Sequence, residues 1–381
     1  MLRRLLVLVS AVVLVDVVFY SAIIPLLPHY TSELDLAKSE AGTLAGAYAA
    51  GTLVASIPAG WLAARLGPRP MLLAGLALLA VSCVAFGFAE RYGLLVGARF
   101  VQGFGGAASW AAGMAWILAV APRERRGELI GTTLGVAIAG SLGGPVLGAV
   151  AERVGTELVF SATGVVAAGL ALAVVATPAP VQAPPTSGLG GALRDRRVLA
   201  GAWLTTLPAL FFGTFTVLTS LRLDELGVGA AGVAGVFLAA AAVEAVVSPI
   251  VGRVSDRRGR AFPIRTGLAG VLLACVLLPL SEAEAILLAV TAIGAAAVVG
   301  MLWAPAMAML ADGAESAGVA QGLAFGLVNL AWAGGQVAGT AGGSATAEAT
   351  SDALTYALVG VLVAASLVLA LRTRSAAAIA A

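Results

Sequence analysis

Twelve apolar stretches run through the chain at close intervals, at 5–27, 40–64, 70–89, 93–118, 128–151, 157–177, 199–222, 230–252, 262–280, 284–310, 317–342 and 351–371. Each is near the roughly 20 residues with which a helix crosses a hydrocarbon core of about 30 Å. The sequence therefore predicts an all-α membrane protein of twelve transmembrane helices. Composition points the same way: 60% of the residues are hydrophobic and 11% charged, against about 25% charged in a soluble domain. No long soluble domain is left between the stretches. The opening Met1-Leu2-Arg3-Arg4 followed by an apolar run imitates a signal peptide, but the run continues past Ile24 without a clear small-residue cleavage site, so it reads as a retained first span.

Net charge is +2 and selects no acidic partner; its distribution says more. With the N-terminus on one face, that face receives 17 of the 22 basic residues, among them Arg3, Arg4, Arg123, Arg125, Arg126, Arg194, Arg196, Arg197, Arg257 and Arg258. The opposite face receives Lys38, Arg91, Arg153 and Arg222. By the positive-inside rule both termini are expected in the cytoplasm, as in a multi-pass protein of a bacterial inner membrane. Cys83 and Cys275 both lie inside apolar runs, where they read as small buried side chains rather than a disulfide or metal site.

Residues 178–198 carry Pro178-Ala179-Pro180, Pro184-Pro185, Ser187-Gly188 and Gly190-Gly191 before Arg194-Asp195-Arg196-Arg197, a helix-breaking, solvated composition. This is the expected cytoplasmic linker between a first half, 1–177, and a second, 199–381. The halves echo each other. Gly60, Arg65 and Gly67 recur 192 residues later as Gly252, Arg257 and Gly259. Gly131, Gly135, Gly143, Gly144 and Gly148 recur at an offset of 191 as Gly322, Gly326, Gly334, Gly335 and Gly339. A duplicated six-helix unit explains a shared register better than glycine frequency does, and transporters built from such repeats place their site between the halves near the midplane.

Gly252-Arg253-Val254-Ser255-Asp256-Arg257-Arg258-Gly259-Arg260 after span eight, Arg99-Phe100-Val101-Gln102-Gly103-Phe104-Gly105 in span four, and Asp16 ahead of Pro25 and Pro28 in span one carry a resemblance. With them the sequence resembles the major facilitator superfamily, and within it the twelve-span drug:proton antiporters, a group that includes relatives of the vesicular amine transporters. The resemblance covers nearly the whole chain and implies two pseudo-symmetric six-helix bundles. It implies that Asp256 faces the cytoplasmic N-terminus of span five, where the helix dipole favours an anion, and latches that side shut. The first-half copy, Gly60 to Arg69, has Ala64 in place of the family's Asp, which leaves that half without its latch. Gly131, Gly140, Gly144-Pro145 and Gly148 in span five resemble the motif of the antiporter branch, with Ala149 in place of its final Gly. Ordinary small-residue packing explains each of these glycines singly; the full spacing points to export.

Three ionisable side chains fall well inside the spans: Asp16, Arg99 and Glu244. Each costs about 2.5–3.5 kcal/mol at the membrane centre, so each needs a partner, a wet cavity or neutralisation. At a rise of about 1.5 Å per residue, Asp16 lies ~16 Å from either end of its span and Arg99 ~12 Å below the loop at Arg91. Those depths allow a pair, and a carboxylate that can exchange a guanidinium for a proton is a candidate proton switch; a static structural pair is the alternative. Glu244 has no basic partner at its depth and is a second candidate for a proton or a cationic substrate. His29, just beyond the first span, reads as a surface residue.

Tyr20, Trp110, Phe212, Phe215, Trp303 and Trp332, with the polar Gln102, Asn329 and Gln336, are the candidates for the substrate pathway. The reading is a proton-coupled exporter of a small lipophilic or cationic compound, working as a monomer with protons and the bilayer as its other partners. An uptake permease or a dedicated metabolite exporter of the same fold is the alternative within transport, and a transporter-derived sensor the alternative outside it. The chain has a single histidine, no cysteine-rich or histidine-rich cluster and no Walker-type phosphate loop, and Lys38 is its one lysine. Enzymatic hydrolysis, a metal or cofactor, nucleic acid and ATP-driven transport by this chain alone are therefore not expected.

Overall fold

A computed structural model of the chain describes residues 2–122, 126–178, 194–319 and 321–379. Among these residues there are helices and short turns and no strand. In order they are α1 (Leu2–Ser21), α2 (Ile23–Leu34), α3 (Lys38–Leu66), α4 (Pro68–Gly87), α5 (Tyr92–Val120), α6 (Arg126–Val154), α7 (Thr156–Val175), α8 (Arg196–Glu225), α9 (Gly229–Arg258), α10 (Ala261–Ser281), α11 (Ala285–Ser316) and α12 (Gln321–Val337). A widened π turn (Ala338–Gly342), α13 (Gly343–Ala349) and α14 (Asp352–Ile379) complete the chain. Most of the 178–198 linker lies outside the described residues.

Among the described residues ten helical rods are long and apolar enough to cross a membrane. Two of the twelve expected spans are not among the ten found in the described residues. The first is α5, which carries Arg99, Gln102 and a run of glycines. The other is split into a 17-residue α12, the π turn and α13. Both place small and polar residues against neighbouring helices rather than lipid.

Reversals alternate between two faces. On the face that carries neither terminus, called here the far face, Tyr92 Oη donates to Glu40 O, Thr156 Oγ1 to Gly87 O, Arg222 Nε to Glu282 O and Lys38 Nζ to Asp352. On the near face Arg69 donates to Val175 O and Arg265 to Ala370 O. Gly67 and Gly259, the glycines of the repeated loop, take φ of 90° and 80°, where a Cβ is disfavoured.

Prolines shape the first rod. Pro25 has no N–H for the carbonyl of Ser21, and the helix breaks at Ala22 before resuming as α2. Pro28 likewise leaves the carbonyl of Ile24 unclaimed, and Ser220 Oγ of α8 donates to it at 2.8 Å. Helix α2 runs on to Leu34, so His29 sits half-buried on a helix and not in the loop expected from the apolar run.

The repeated glycine register does the same work twice. A Cβ on Gly144 would sit 1.9 Å from Ser21 Oγ and one on Gly148 2.2 Å from Ala22 O, so α6 lies directly against the break between α1 and α2. Gly140 packs on Val17 in the same way, and Pro145 sits within this stretch. Their counterparts Gly335 and Gly339 would bring a Cβ to 2.2 Å from Thr206 O and 2.1 Å from Leu210 O, so α12 and the π turn lie against α8. Small residues let backbones approach closely where lipid supplies no hydrophobic drive between helices. Gly339→Val is expected to lower stability by about 1–3 kcal/mol through overpacking. Gly342→Ala, which meets open space, is expected to leave it unchanged. Thermal unfolding of both variants in detergent measures the difference.

The buried apolar residues form one cluster drawn mainly from α1–α7 and two from α8–α14, with Cys83 in the former and Cys275 in the latter.

Candidate functional site

The break ahead of Pro25 exposes the carbonyls of Phe19 and Tyr20, and Arg99 reaches them from α5. Its Nη1 donates to Phe19 O at 3.3 Å and to Gln102 Oε1 at 2.6 Å, and its Nη2 to Tyr20 O at 3.1 Å. The rings of Phe19, Tyr20 and Tyr48 lie 5.8, 5.7 and 5.5 Å from the guanidinium carbon. A fully buried guanidinium is thus held by carbonyl dipoles and aromatic faces.

Asp16, one helical turn before Tyr20, is 1% exposed. Its Oδ2 accepts from Tyr48 Oη at 2.8 Å, and Trp110 of α5 lies near the carboxyl. The direct Asp16–Arg99 ion pair expected from matching depths is not formed. The arginine's fork is taken by the carbonyls at the break, and Tyr48 stands between the charges, its hydroxyl on the carboxylate and its ring beside the guanidinium.

The span-four motif builds this arrangement residue by residue. Arg99 supplies the fork and Gln102 accepts from it. Gly103 admits the backbone of α3, since a Cβ there would lie 2.0 Å from Tyr48 O. The motif's Gly105 packs on Gly75 of α4 instead, and Gly106, just after the motif, leaves the space that the Tyr48–Asp16 bond occupies, a Cβ there falling 2.3 Å from Tyr48 Oη. Tyr48 is the member that the sequence does not advertise, set as it is among Ala and Gly in the second span.

From the second group of helices α12 completes the cluster. Gln336 Nε2 donates to Tyr20 Oη at 2.7 Å, and the ring of Trp332 lies 5.6 Å from that of Tyr20 and 6.2 Å from that of Tyr48. Asp16 Oδ1, Arg99 Nε, Gln102 Nε2 and Gln336 Oε1 are buried without a hydrogen-bond partner. Unpaired buried polar atoms are costly, and four in one cluster mark a place where ligand, water or proton has acceptors and donors waiting.

The remaining candidates lie apart. Glu244 on α9 packs its side-chain carbons near Gly300 of α11, with no hydrogen-bond partner among the described residues. Phe215 is fully buried among Phe211, Phe212 and Phe237, inside the core of the second group rather than along the seam. Trp303 on α11 and Asn329 on α12 are half-buried and join neither group of contacts. Arg65 lies over the ring of Trp61, 3.9 Å from its centroid, close to Gly60 on the near-face end of α3. Gly131 falls on α6, and Gly252, Asp256 and Arg257 on α9, but their surroundings lie outside the described residues. Among the described residues no group of His, Cys, Asp and Glu is placed to hold a metal ion.

The sequence profile of the Major Facilitator Superfamily matches residues 9–333. The chain is similar to an MFS-type transporter ppzB of Metarhizium rileyi, 35% identical over 159 residues that make up 40% of this chain and 33% of that protein. A chloramphenicol resistance protein of Streptomyces lividans is 30% identical over 247 residues, 61% of this chain and 62% of that one. A probable vesicular acetylcholine transporter-B of Danio rerio is 33% identical over 157 residues, 39% and 32% of the two chains. The chain covers less than two thirds of the length of each of these relatives.

Proposed function

Because the chain belongs to the Major Facilitator Superfamily, we propose that it is a proton-coupled secondary transporter that carries a small lipophilic or cationic compound out of the cytoplasm. It does so by alternating access between two six-helix halves, residues 1–177 and 199–381, joined by the linker at 178–198. The near face is the cytoplasmic one, on the distribution of arginines, and the membrane is the inner membrane of a bacterium. The recurring Gly67/Gly259 turns and the paired glycine seams of α6 and α12 support a duplicated unit.

One observation carries the coupling. Asp16 is a buried carboxylate with one oxygen on Tyr48 and the other bare, beside a guanidinium it does not touch, at a seam completed by Gln336 and Trp332 of the second half. A proton arriving from outside occupies the bare oxygen and discharges the carboxylate. A cationic solute at the same seam needs that carboxylate charged. Each ligand thus excludes the other, which is what exchange requires. The names of the relatives support the direction and the class of cargo: resistance to chloramphenicol is consistent with export, and acetylcholine is a cation.

Glu244 is assigned to the substrate rather than to the proton. Glu244→Gln is expected to change which cations compete for transport, by about tenfold in apparent affinity for the most affected, and to leave coupling to the pH gradient intact. Competition assays over a panel of lipophilic cations measure it. The whole reading is tested in proteoliposomes with an imposed pH gradient, using chloramphenicol and ethidium as probes. Movement against their own gradients that stops with a protonophore is the expected result. Fluxes indifferent to the pH gradient remove proton coupling, and uptake in the opposite sense favours a permease.

A further inference from the structure

A polar side chain recurs every four residues along the far half of the α12–α13 rod: Gln336, Thr340, Ser344 and Glu348, followed by Asp352 at the first position of α14. All five face the first half. Gln336 bonds Tyr20. Thr340 and Ser344 fill the spaces left by Gly46 and Gly42 of α3, where a Cβ would come within 2.3 Å of Thr340 Oγ1 and 1.7 Å of Ser344 Oγ. Glu348 Oε2 accepts from the backbone N–H of Ser39 at 2.7 Å, and Lys38 Nζ meets Asp352 Oδ1 at 3.0 Å.

The distribution of bonds along this seam differs from that of a permanent interface. Thr340 and Ser344 spend their hydroxyls on their own helix, on Gln336 O and Thr340 O. Between α3 and this rod they therefore make a steric fit with no hydrogen bond to break. Directional contacts stand only at the two ends: one at the polar cluster, two at the far surface. The pair is open to solvent on its lysine side, at 33% for Lys38 against 9% for Asp352, and a pair that water reaches on one side can open and close. Lys38 is also the only lysine of the chain, and it is set among Asp352, Glu348, Glu40 and Glu282, with Arg222 engaged by Glu225 and the carbonyl of Glu282. Without its charge the carboxylates of both halves repel across the seam.

We propose that Lys38, Glu348 and Asp352 are gating residues that close the far mouth of the transporter, and that the Gln336-to-Glu348 stripe ties this closure to the state of the Asp16–Tyr48 cluster. The proposal rests on the alternating-access reading. The Ser39 amide holds the Glu348 carboxyl below its ordinary range. That contact is therefore present at neutral and mildly acid pH, with Lys38, Glu40, Asp352 and Glu282 around it, and is lost only as pH falls through the lowered value. Substitution, not mild acidification, is the lever on the gate.

The experiment uses the full chain in nanodiscs with spin labels at Glu90→Cys and Glu284→Cys, both exposed on the far face; native Cys83 and Cys275 are buried. Lys38→Gln is expected to raise the long-distance population about fivefold, the size of one ion pair that water reaches. The exchange of Lys38→Asp with Asp352→Lys is expected to return it to the original distribution. Gly42→Val, which wedges Ser344 away, and Gln336→Ala, which cuts the stripe at the cluster, are expected to open the same mouth. Unchanged distances in Lys38→Gln, or a charge exchange that restores nothing, overturn the gate. Unchanged distances in Gln336→Ala overturn its tie to the cluster. Distances that respond in a protein with no proton-driven flux leave the gate standing and remove the transport reading; proton-driven flux with distances that never move does the reverse.

Discussion

Asp16→Asn is expected to abolish uphill, proton-driven efflux and to spare downhill exchange of the same compound. The side chains are nearly isosteric, and the amide oxygen can still accept from Tyr48 Oη, which reaches Asp16 at 2.8 Å. Geometry therefore survives while the charge switch does not. Groups that transfer a proton in a rate-limiting step are commonly worth about 100-fold or more, and a loss of that order is expected in the uphill rate. Counterflow, in which labelled and unlabelled compound exchange with no net work, needs the pathway but not the switch. Vesicles with an imposed pH gradient measure the first activity and equilibrated vesicles the second. Wild-type uphill transport by the Asp16→Asn protein moves coupling to Glu244. Uphill transport by both the Asp16→Asn and the Glu244→Gln protein leaves proton exchange without its chemistry.

Much of this cluster is legible in the sequence because a polar residue inside an apolar span is costly enough to need a reason. Asp16, Arg99, Gln102 and Gln336 stand out on that ground alone. Tyr48 does not, because a tyrosine among Ala and Gly reads as packing. Its importance comes from the close backbone approach of α3 to α5 at Gly51 and Gly103, which only the folded chain shows. The expected Asp16–Arg99 pair failed for a related reason. Depth along two helices gives a height but no azimuth, and it takes no account of the carbonyls of Phe19 and Tyr20 at the break before Pro25, which hold the guanidinium. The period of four from Gln336 to Asp352 is likewise visible as letters, yet nothing in it names Gly42 and Gly46 as the surface it fits. Apolar length marked twelve stretches in the sequence, but nothing in it marked the π turn that interrupts the rod after α12.

Arg99 supplies the other large effect, and its shape matters as well as its charge. The guanidinium spans three acceptors at once, the carbonyls of Phe19 and Tyr20 and the Oε1 of Gln102. Arg99→Ala strands all three in a buried site, at about 1–3 kcal/mol for each unmade bond, so a fall in stability is expected beside a loss of about 100-fold in uphill efflux. That double loss cannot by itself separate a collapsed site from a disarmed one. Arg99→Lys can. Lysine keeps the positive charge near Asp16 but is a point donor on a flexible stem and cannot bridge both carbonyls and the amide together. With charge alone at stake, the lysine variant would transport like wild type. With the fork required to hold the broken first helix and so aim Tyr48 at Asp16, uphill efflux is expected to fall about tenfold, a loss of one or two well-placed hydrogen bonds. Thermal stability then falls less than in Arg99→Ala, and Arg99→Lys gains no further loss on combination with Tyr48→Phe. Additive losses in that double variant, measured in the same vesicles, place Arg99 and Tyr48 in separate steps and end the positioning role of the fork.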